Sequence, residues 1–334
     1  EDSQYRYGFE VTSQRIMREW LYRLGNAREA LLFQREQDEI KVRPQNFREG
    51  RGLQKFTRPN ALFLSVAAQF NGEIASRILA WFRTVNVNTG VTDQGDMLNA
   101  FAHYVEGPHR EAIERLIQRL DVGIDGLHLE RTPASIPTDA PEPIAEGLRA
   151  FFAAIRGAGE EPENITIKTL HNQYDGEESH VGTITFDLEQ HESAGTQRLF
   201  VLAHPILHAL QEGTLIVIDE FDARIHSNLA VELIELFNDP ETNPRHAQLI
   251  FTTHNTNLLS ANLFRRDQVW FVEKSRQGAS DLYSLLEYRN DGKIIRNDAS
   301  FEKDYILGRY GAIPYIGDLQ RLLGALNEQT ATTN

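Results

Sequence analysis

Leu215-Ile216-Val217-Ile218-Asp219-Glu220 is a run of four apolar residues that ends abruptly in two adjacent carboxylates. Gly213 precedes it and Asp222 follows. A short, bounded, β-branched run of this kind reads as a strand buried on both faces, as in a parallel sheet. Its carboxylates then stand at the strand's C-terminal edge, where open α/β sheets bind their ligands.

Working downstream, Phe221-Asp222-Ala223-Arg224-Ile225-His226 leads into a helix predicted over 226–237, and a second apolar run, Gln248–Thr253, ends in His254-Asn255. Strand, helix, strand in this order predicts a parallel sheet with right-handed crossovers and a second buried strand. His254 at that strand's tip is then in reach of any ligand held by the acids, and its imidazole can hydrogen-bond a terminal phosphate. Upstream, Glu192-Ser193-Ala194-Gly195-Thr196-Gln197 opens a helix predicted to run to about Gln211. Free N–H groups at a helix start suit a phosphate, although Ser193 taken alone reads as an N-cap. Pro205 removes a hydrogen bond from that helix and predicts a bend near Ala203.

The remaining chain divides by period. Residues 5–42 alternate apolar and polar in short bursts, predicting an antiparallel meander over 1–44. From Asn60, Leu62, Val66, Phe70, Ile74, Ile78 and Trp81 follow helical spacing, interrupted at Gly72. Helices are also expected at about 97–105, 109–120 and 143–156, and four prolines make 132–143 a loop. These elements suggest a helical insertion over 45–160. Strands at 165–170 and 181–188 open a C-terminal lobe over 161–334, with further strands at 269–273 and 282–286.

Composition narrows the classes. The 334 residues carry 34 Lys and Arg against 48 Asp and Glu, a net charge of −14. That balance argues against a surface that grips nucleic acid over its whole length, while leaving room for a local basic patch. With no cysteine there is no disulfide, thiolate metal site or cysteine nucleophile, which fits a cytoplasmic location. No apolar run approaches the ~20 residues needed to cross a bilayer, so no membrane association is expected.

Asp219-Glu220 after an apolar strand has the form of a Walker B motif. Together with Ser193-Ala194-Gly195-Thr196-Gln197, Leu215 to His226 and Phe251 to Asn255, it stands in the order of an ABC-type ATPase. Within that class the chain resembles the SMC-like bacterial ATPases of abortive-infection and other anti-phage systems. The resemblance implies an α/β P-loop NTPase of the ABC-head type, with a parallel sheet, a β-meander and a helical insertion. It implies ATP and Mg²⁺ as cofactors: Asp219 holding the metal, Glu220 activating water and His254 contacting the γ-phosphate. Ser193, Gly195 and Thr196 would complete the pocket of a facing copy, and Asp222, Ala223 and His226 would form a D-loop at that seam. A homodimer or higher homo-oligomer follows, with an effector encoded by a neighbouring gene and possible nucleic acid as partners.

Such a head needs a glycine-rich GxxxxGK[ST] loop to cradle phosphates, and none occurs in these residues. In the family this loop precedes the meander, so a longer natural protein is expected. The alternatives are a degenerate, non-hydrolysing scaffold that restrains a toxin or nuclease, and a nuclease of the overcoming-lysogenization-defect type. For the nuclease, Glu273 is the candidate first acid, but no Asp-x-Asp follows it. His204 and His208 are four apart on one helix; without a neighbouring glutamate in HExxH order they read as core histidines and not a zinc site.

Overall fold

The computed structural model describes residues 3–25, 28–90, 94–120, 123–159, 161–259, 263–290, 293–294 and 300–313. The chain splits into two compact units, Glu1–Asn86 and Val87–Asn334.

Period-two alternation builds the first unit. Strands β1 (Tyr5–Val11), β2 (Ile16–Leu24), β3 (Glu29–Glu36) and β4 (Glu39–Val42) pair antiparallel in chain order. Leu21, Leu32 and Phe33 of this meander share a core with Phe47 and with α1 (Phe63–Gln69) and α2 (Glu73–Thr84). The α1 N-terminus has no cap of its own. Fully buried Glu19 of β2 supplies one, accepting the N–H groups of Phe63 at 2.7 Å and Leu64 at 3.0 Å and the Tyr7 hydroxyl at 3.0 Å. Burial raises the carboxyl pKa of Glu19, against those backbone hydrogen bonds, and burial raises the Tyr7 phenol as well. Arg35, also buried, ties down the 58–61 loop through the carbonyls of Ala61 at 2.6 Å, Pro59 at 3.0 Å and Arg58 at 3.3 Å.

The second unit contains β5 (Asn86–Asn88, starting at the junction), α3 (Gln94–Glu106), α4 (Arg110–Leu120), β6 (Gly126–Pro133), α5 (Glu142–Gly157), β7 (Glu163–Tyr174) and β8 (His180–Asp187). After them come α6 (Ala194–Glu212), β9 (Leu215–Ile218), α7 (Ser227–Asn238), β10 (Gln248–Phe251), β11 (Trp270–Lys274), β12 (Ser280–Ser284) and α8 (Phe301–Ile306). β6, β7 and β8 form an antiparallel sheet. β6 is a strand that the sequence reading left out, recruited by pairing with β7 from Gly126↔Leu170 to Pro133↔Glu163. Pro133 is tolerated because it ends the strand.

β9 and β10 are parallel, as the strand-helix-strand order predicts, and β5 lies on the other side of β9. Ile216 and Ile218 are fully buried against Leu202, Ala203 and Ile206 of α6 and Ala230 and Leu233 of α7. β10 departs from the expected buried strand: Ile250 is 56 % exposed, because β10 is the outer strand of this three-stranded sheet. α6 continues through Pro205 as one helix of 19 residues. Its buried face offsets the ~3 kcal/mol that an interior proline costs.

Where α6 meets α3 and α4, four histidines gather. His103 stacks on His204 with ring centroids 3.7 Å apart, and His109 lies 5.6 Å from His204 and 6.2 Å from His208. Among the described residues no group of three His, Asp or Glu is arranged to hold a metal ion. His208 is exposed and not a core residue. Burial, helped by the imidazoles of His103, His109 and His208, pushes His204 down to about 4. Among the described residues no helix is long and apolar enough to cross a membrane.

Two outcomes follow. Glu19→Ala strands two helix N–H groups in the core and is expected to cost about 3 kcal/mol in urea unfolding. Unfolded His204 protonates near its ordinary pKa while folded His204 resists until about 4, so thermal stability should fall as pH drops from 7 towards 5. His204→Leu should flatten that fall in a melting-temperature series.

Candidate functional site

β9 stops at Ile218 because the chain turns. Glu220 adopts a left-handed φ of 46°, and the next residue, Phe221, is fully buried with its ring 5.0 Å from Phe251. Such a backbone costs about 1–3 kcal/mol on a residue with a side chain, and the buried phenyl holds it in place. Asp219 and Glu220 both remain exposed at the sheet's edge.

The register of the parallel pair sets Phe251 level with Ile218, which brings Thr252 level with Asp219. Thr252 N–H donates to the Ile218 carbonyl at 3.1 Å, and Phe221 N–H to the Thr252 carbonyl at 3.0 Å. The Thr252 hydroxyl accepts from Glu220 N–H at 2.8 Å and donates to Asp219 Oδ1. The Thr253 hydroxyl donates to Asp222 Oδ1 at 2.5 Å, and Asn255 Nδ2 to Ser227 Oγ at 2.9 Å. The two strand tips are therefore one hydrogen-bonded body, and His254 is exposed upon it, on the same end of the sheet as the acids. On the far side of β9, Asp219 N–H donates to the Asn88 carbonyl at 2.9 Å. Gly90 follows, where a Cβ would come within 2.2 Å of Glu220 Cβ and 2.6 Å of the Asp219 carbonyl oxygen. Only glycine fits there.

The loop before α6 joins this body through Gly195. A Cβ on Gly195 would stand 2.8 Å from the Arg224 carbonyl oxygen, so the 193–196 turn lies directly against the 222–226 loop of the same chain. Ser193 is the N-cap, its Oγ accepting Thr196 N–H at 3.1 Å. Ser193 is exposed and Thr196 buried. Glu192 anchors the turn to β7 by bonding His171 Nε2 at 2.7 Å and the Thr169 hydroxyl. Ala223 N–H donates to the Glu220 carbonyl at 3.0 Å, and His226 caps α7, its Nδ1 accepting Asn228 N–H at 3.2 Å. One nitrogen of His226 is thus committed within its own helix start.

The donor set fits a hydrated hard cation. Mg²⁺ commonly keeps several waters and takes only one or two protein carboxylates. Asp219 is oriented through Oδ1 by Thr252, and its Oδ2 has no protein partner among the described residues. The Glu220 carboxylate likewise has none there and can hold a water. Sequence reasoning gave Thr252 no role of its own and passed over Gly90. The Thr-Thr doublet after a strand was the available signal for the first; nothing in Asn88-Thr89-Gly90 marks the second.

A family model described as "AAA domain, putative AbiEii toxin, Type IV TA system" matches residues 1–260. The chain belongs to this AAA family. It is accordingly a P-loop NTPase by family, with parallel and antiparallel sheets in a mixed α/β fold. The match takes in both strand tips and the 193–196 turn, and links this AAA chain to abortive-infection and toxin–antitoxin ATPases. AAA-type P-loop domains in general bind ATP with Mg²⁺. No curated protein matches the chain.

Thr252→Val removes the hydroxyl that joins the tips while keeping the shape. It should lower stability by about 1 kcal/mol in urea unfolding, and Thr252→Ser should restore it.

Proposed function

We propose that this AAA chain is an ABC-type head that binds and hydrolyses ATP, closes on nucleotide against a second copy, and controls a partner effector in anti-phage defence. The observation that supports it is the hydrogen-bonded pair of strand tips, with the exposed carboxylates of Asp219 and Glu220 and an imidazole at one end of the parallel β9–β10 pair.

In this reading Asp219 Oδ2 holds Mg²⁺, which when bound neutralises charge on the terminal phosphates. Glu220 orients the attacking water and takes its proton, and His254 donates a hydrogen bond to the γ-phosphate. Ser193, Gly195 and the N–H groups at the start of α6 face the nucleotide of the second copy, and Asp222 to His226 line the seam. Contact between Gly195 and the Arg224 carbonyl gives those two loops a common position, so closure at one moves the other. The phosphate cradle itself is not encoded in the 334 residues. Among the described residues the outer edge of β10 is unpaired.

The alternative reading is a non-hydrolysing scaffold that restrains a toxin or nuclease. A nuclease is the weaker idea: Glu273 sits in the β11–β12 antiparallel hairpin and no Asp-x-Asp follows.

Turnover of Mg-ATP by the natural protein, read with assembly size by light scattering, separates these. Glu220→Gln is expected to lower turnover by about 100-fold or more and to trap a larger, nucleotide-bound assembly. Equal turnover in wild type and variant overturns the base assignment, and a wild type that does not bind ATP establishes the scaffold.

A further inference from the structure

Charge is distributed unevenly along this acidic chain. Residues 1–86 hold 14 Lys and Arg against 10 Asp and Glu, a formal +4 within a total of −14. The excess is concentrated in Arg48-Glu49-Gly50-Arg51-Gly52-Leu53-Gln54-Lys55-Phe56-Thr57-Arg58, where four cations accompany a single acid.

Two 3₁₀ turns, Arg48–Gly50 and Leu53–Phe56, shape this stretch. Phe47, Gly50 and Leu53, three apart, are the buried positions. A 3₁₀ turn repeats every three residues, so with that face turned inward the cations are left outside. Arg48, Arg51, Lys55 and Arg58 are all exposed, and none makes an ion pair among the described residues. The one carboxylate that could neutralise them is used elsewhere: Glu49 accepts the N–H groups of Ile74 at 3.0 Å and Ala75 at 2.8 Å, capping α2.

The same stretch supplies one member of an exposed aromatic pair. Phe56 and Phe70 are each 56 % exposed, and their rings stack with centroids 5.8 Å apart and planes 26° from parallel. Lys55 Nζ stands 5.0 Å from the Phe56 ring centre. Exposed phenyl rings carry an avoidable hydration cost in a free surface. Cations alone would suit any anion. Stackable rings among unpaired cations suit a polyanion whose units have π-faces, which is the chemistry of single-stranded nucleic acid.

We propose that Arg48, Arg51, Lys55 and Arg58 bind the phosphates of a single-stranded nucleic acid, with its bases stacking on the Phe56–Phe70 pair. The surface belongs wholly to the first unit and does not depend on the nucleotide reading. The test is therefore made without ATP and stands or falls apart from it.

The measurement is fluorescence anisotropy of a labelled single-stranded DNA of about 20 nucleotides, with the full chain, between about 50 and about 200 mM salt. Wild type should bind with an affinity that falls steeply with salt. Reversing all four cations to Glu should weaken binding at least about 100-fold and flatten the salt slope by about 0.7 per lost phosphate contact. Phe56→Ala with Phe70→Ala should weaken binding about tenfold and leave that slope unchanged. Both variants alter exposed side chains, and a wild-type melting temperature verifies their folding; Arg→Gln and Lys→Gln versions serve if reversal disturbs it. Absence of wild-type binding at the lowest salt, or wild-type affinity in the charge variants, overturns the proposal. Duplex DNA bound as tightly as the single strand, with no effect of the phenylalanine changes, overturns the single-strand assignment.

Discussion

The register between β9 and β10 is the constraint on which the site's arrangement rests. Side chains along a strand alternate with period two, so a slip of one residue would turn every inward residue outward. Ile216 and Ile218 prevent the slip, since both are fully buried and each burial is worth about 1.5–3 kcal/mol. Because Phe251 must then stand beside Ile218, Thr252 comes level with Asp219 and its hydroxyl reaches both the Asp219 carboxylate and Glu220 N–H. The position of an exposed carboxylate is thus set by apolar contacts one residue away, and the site inherits the rigidity of the core.

Buried charge does comparable work in the first unit. Neither α1 nor α2 begins with a residue whose side chain caps it, and each instead receives a glutamate from a distant part of the chain. Glu19 and Glu49 therefore join the helices to the segments that precede them, as a side-chain cap within the helix could not. The arrangement has a consequence at the surface. With Glu49 turned inward, the neighbouring cations have no internal counter-ion, and positive charge persists on a chain that is acidic overall.

Much of this was legible in the sequence because it is periodic. The meander, the helices from Phe63 to Thr84 and the parallel β9–α7–β10 unit all follow from alternation or helical spacing. What was missed has no period. β6 exists through its partner β7, and a strand ending Arg-Thr-Pro looks like the start of the proline-rich loop that follows it. The exposure of Ile250 depends on which strands flank β10, which composition within the strand does not report. Gly90 was invisible because its requirement comes from Glu220, 130 residues away in the chain. The strand-end positions of Asp219, Glu220 and His254 were readable from the apolar runs that precede them, while the roles proposed for them rest on the resemblance. The hydroxyl of Thr252 was not readable, since a β-branched residue at a strand's end is explained equally well by propensity.

The backbone between the two loops adds a further argument. Glu220 and Arg224 both take left-handed φ values, 46° and 66°, on either side of Phe221, Asp222 and Ala223. Asparagine or glycine would take these conformations with less strain, so stability alone does not account for the residues present. The strain is held by the fully buried Phe221 and the buried Ile225, which fasten each end of the loop. What that strain maintains is the outward presentation of Glu220 and the approach of the Arg224 carbonyl to Gly195. Backbone strain of this kind gathers where a geometry is needed for more than folding. Here it falls on the acid assigned to water activation and on the carbonyl that couples it to the 193–196 turn.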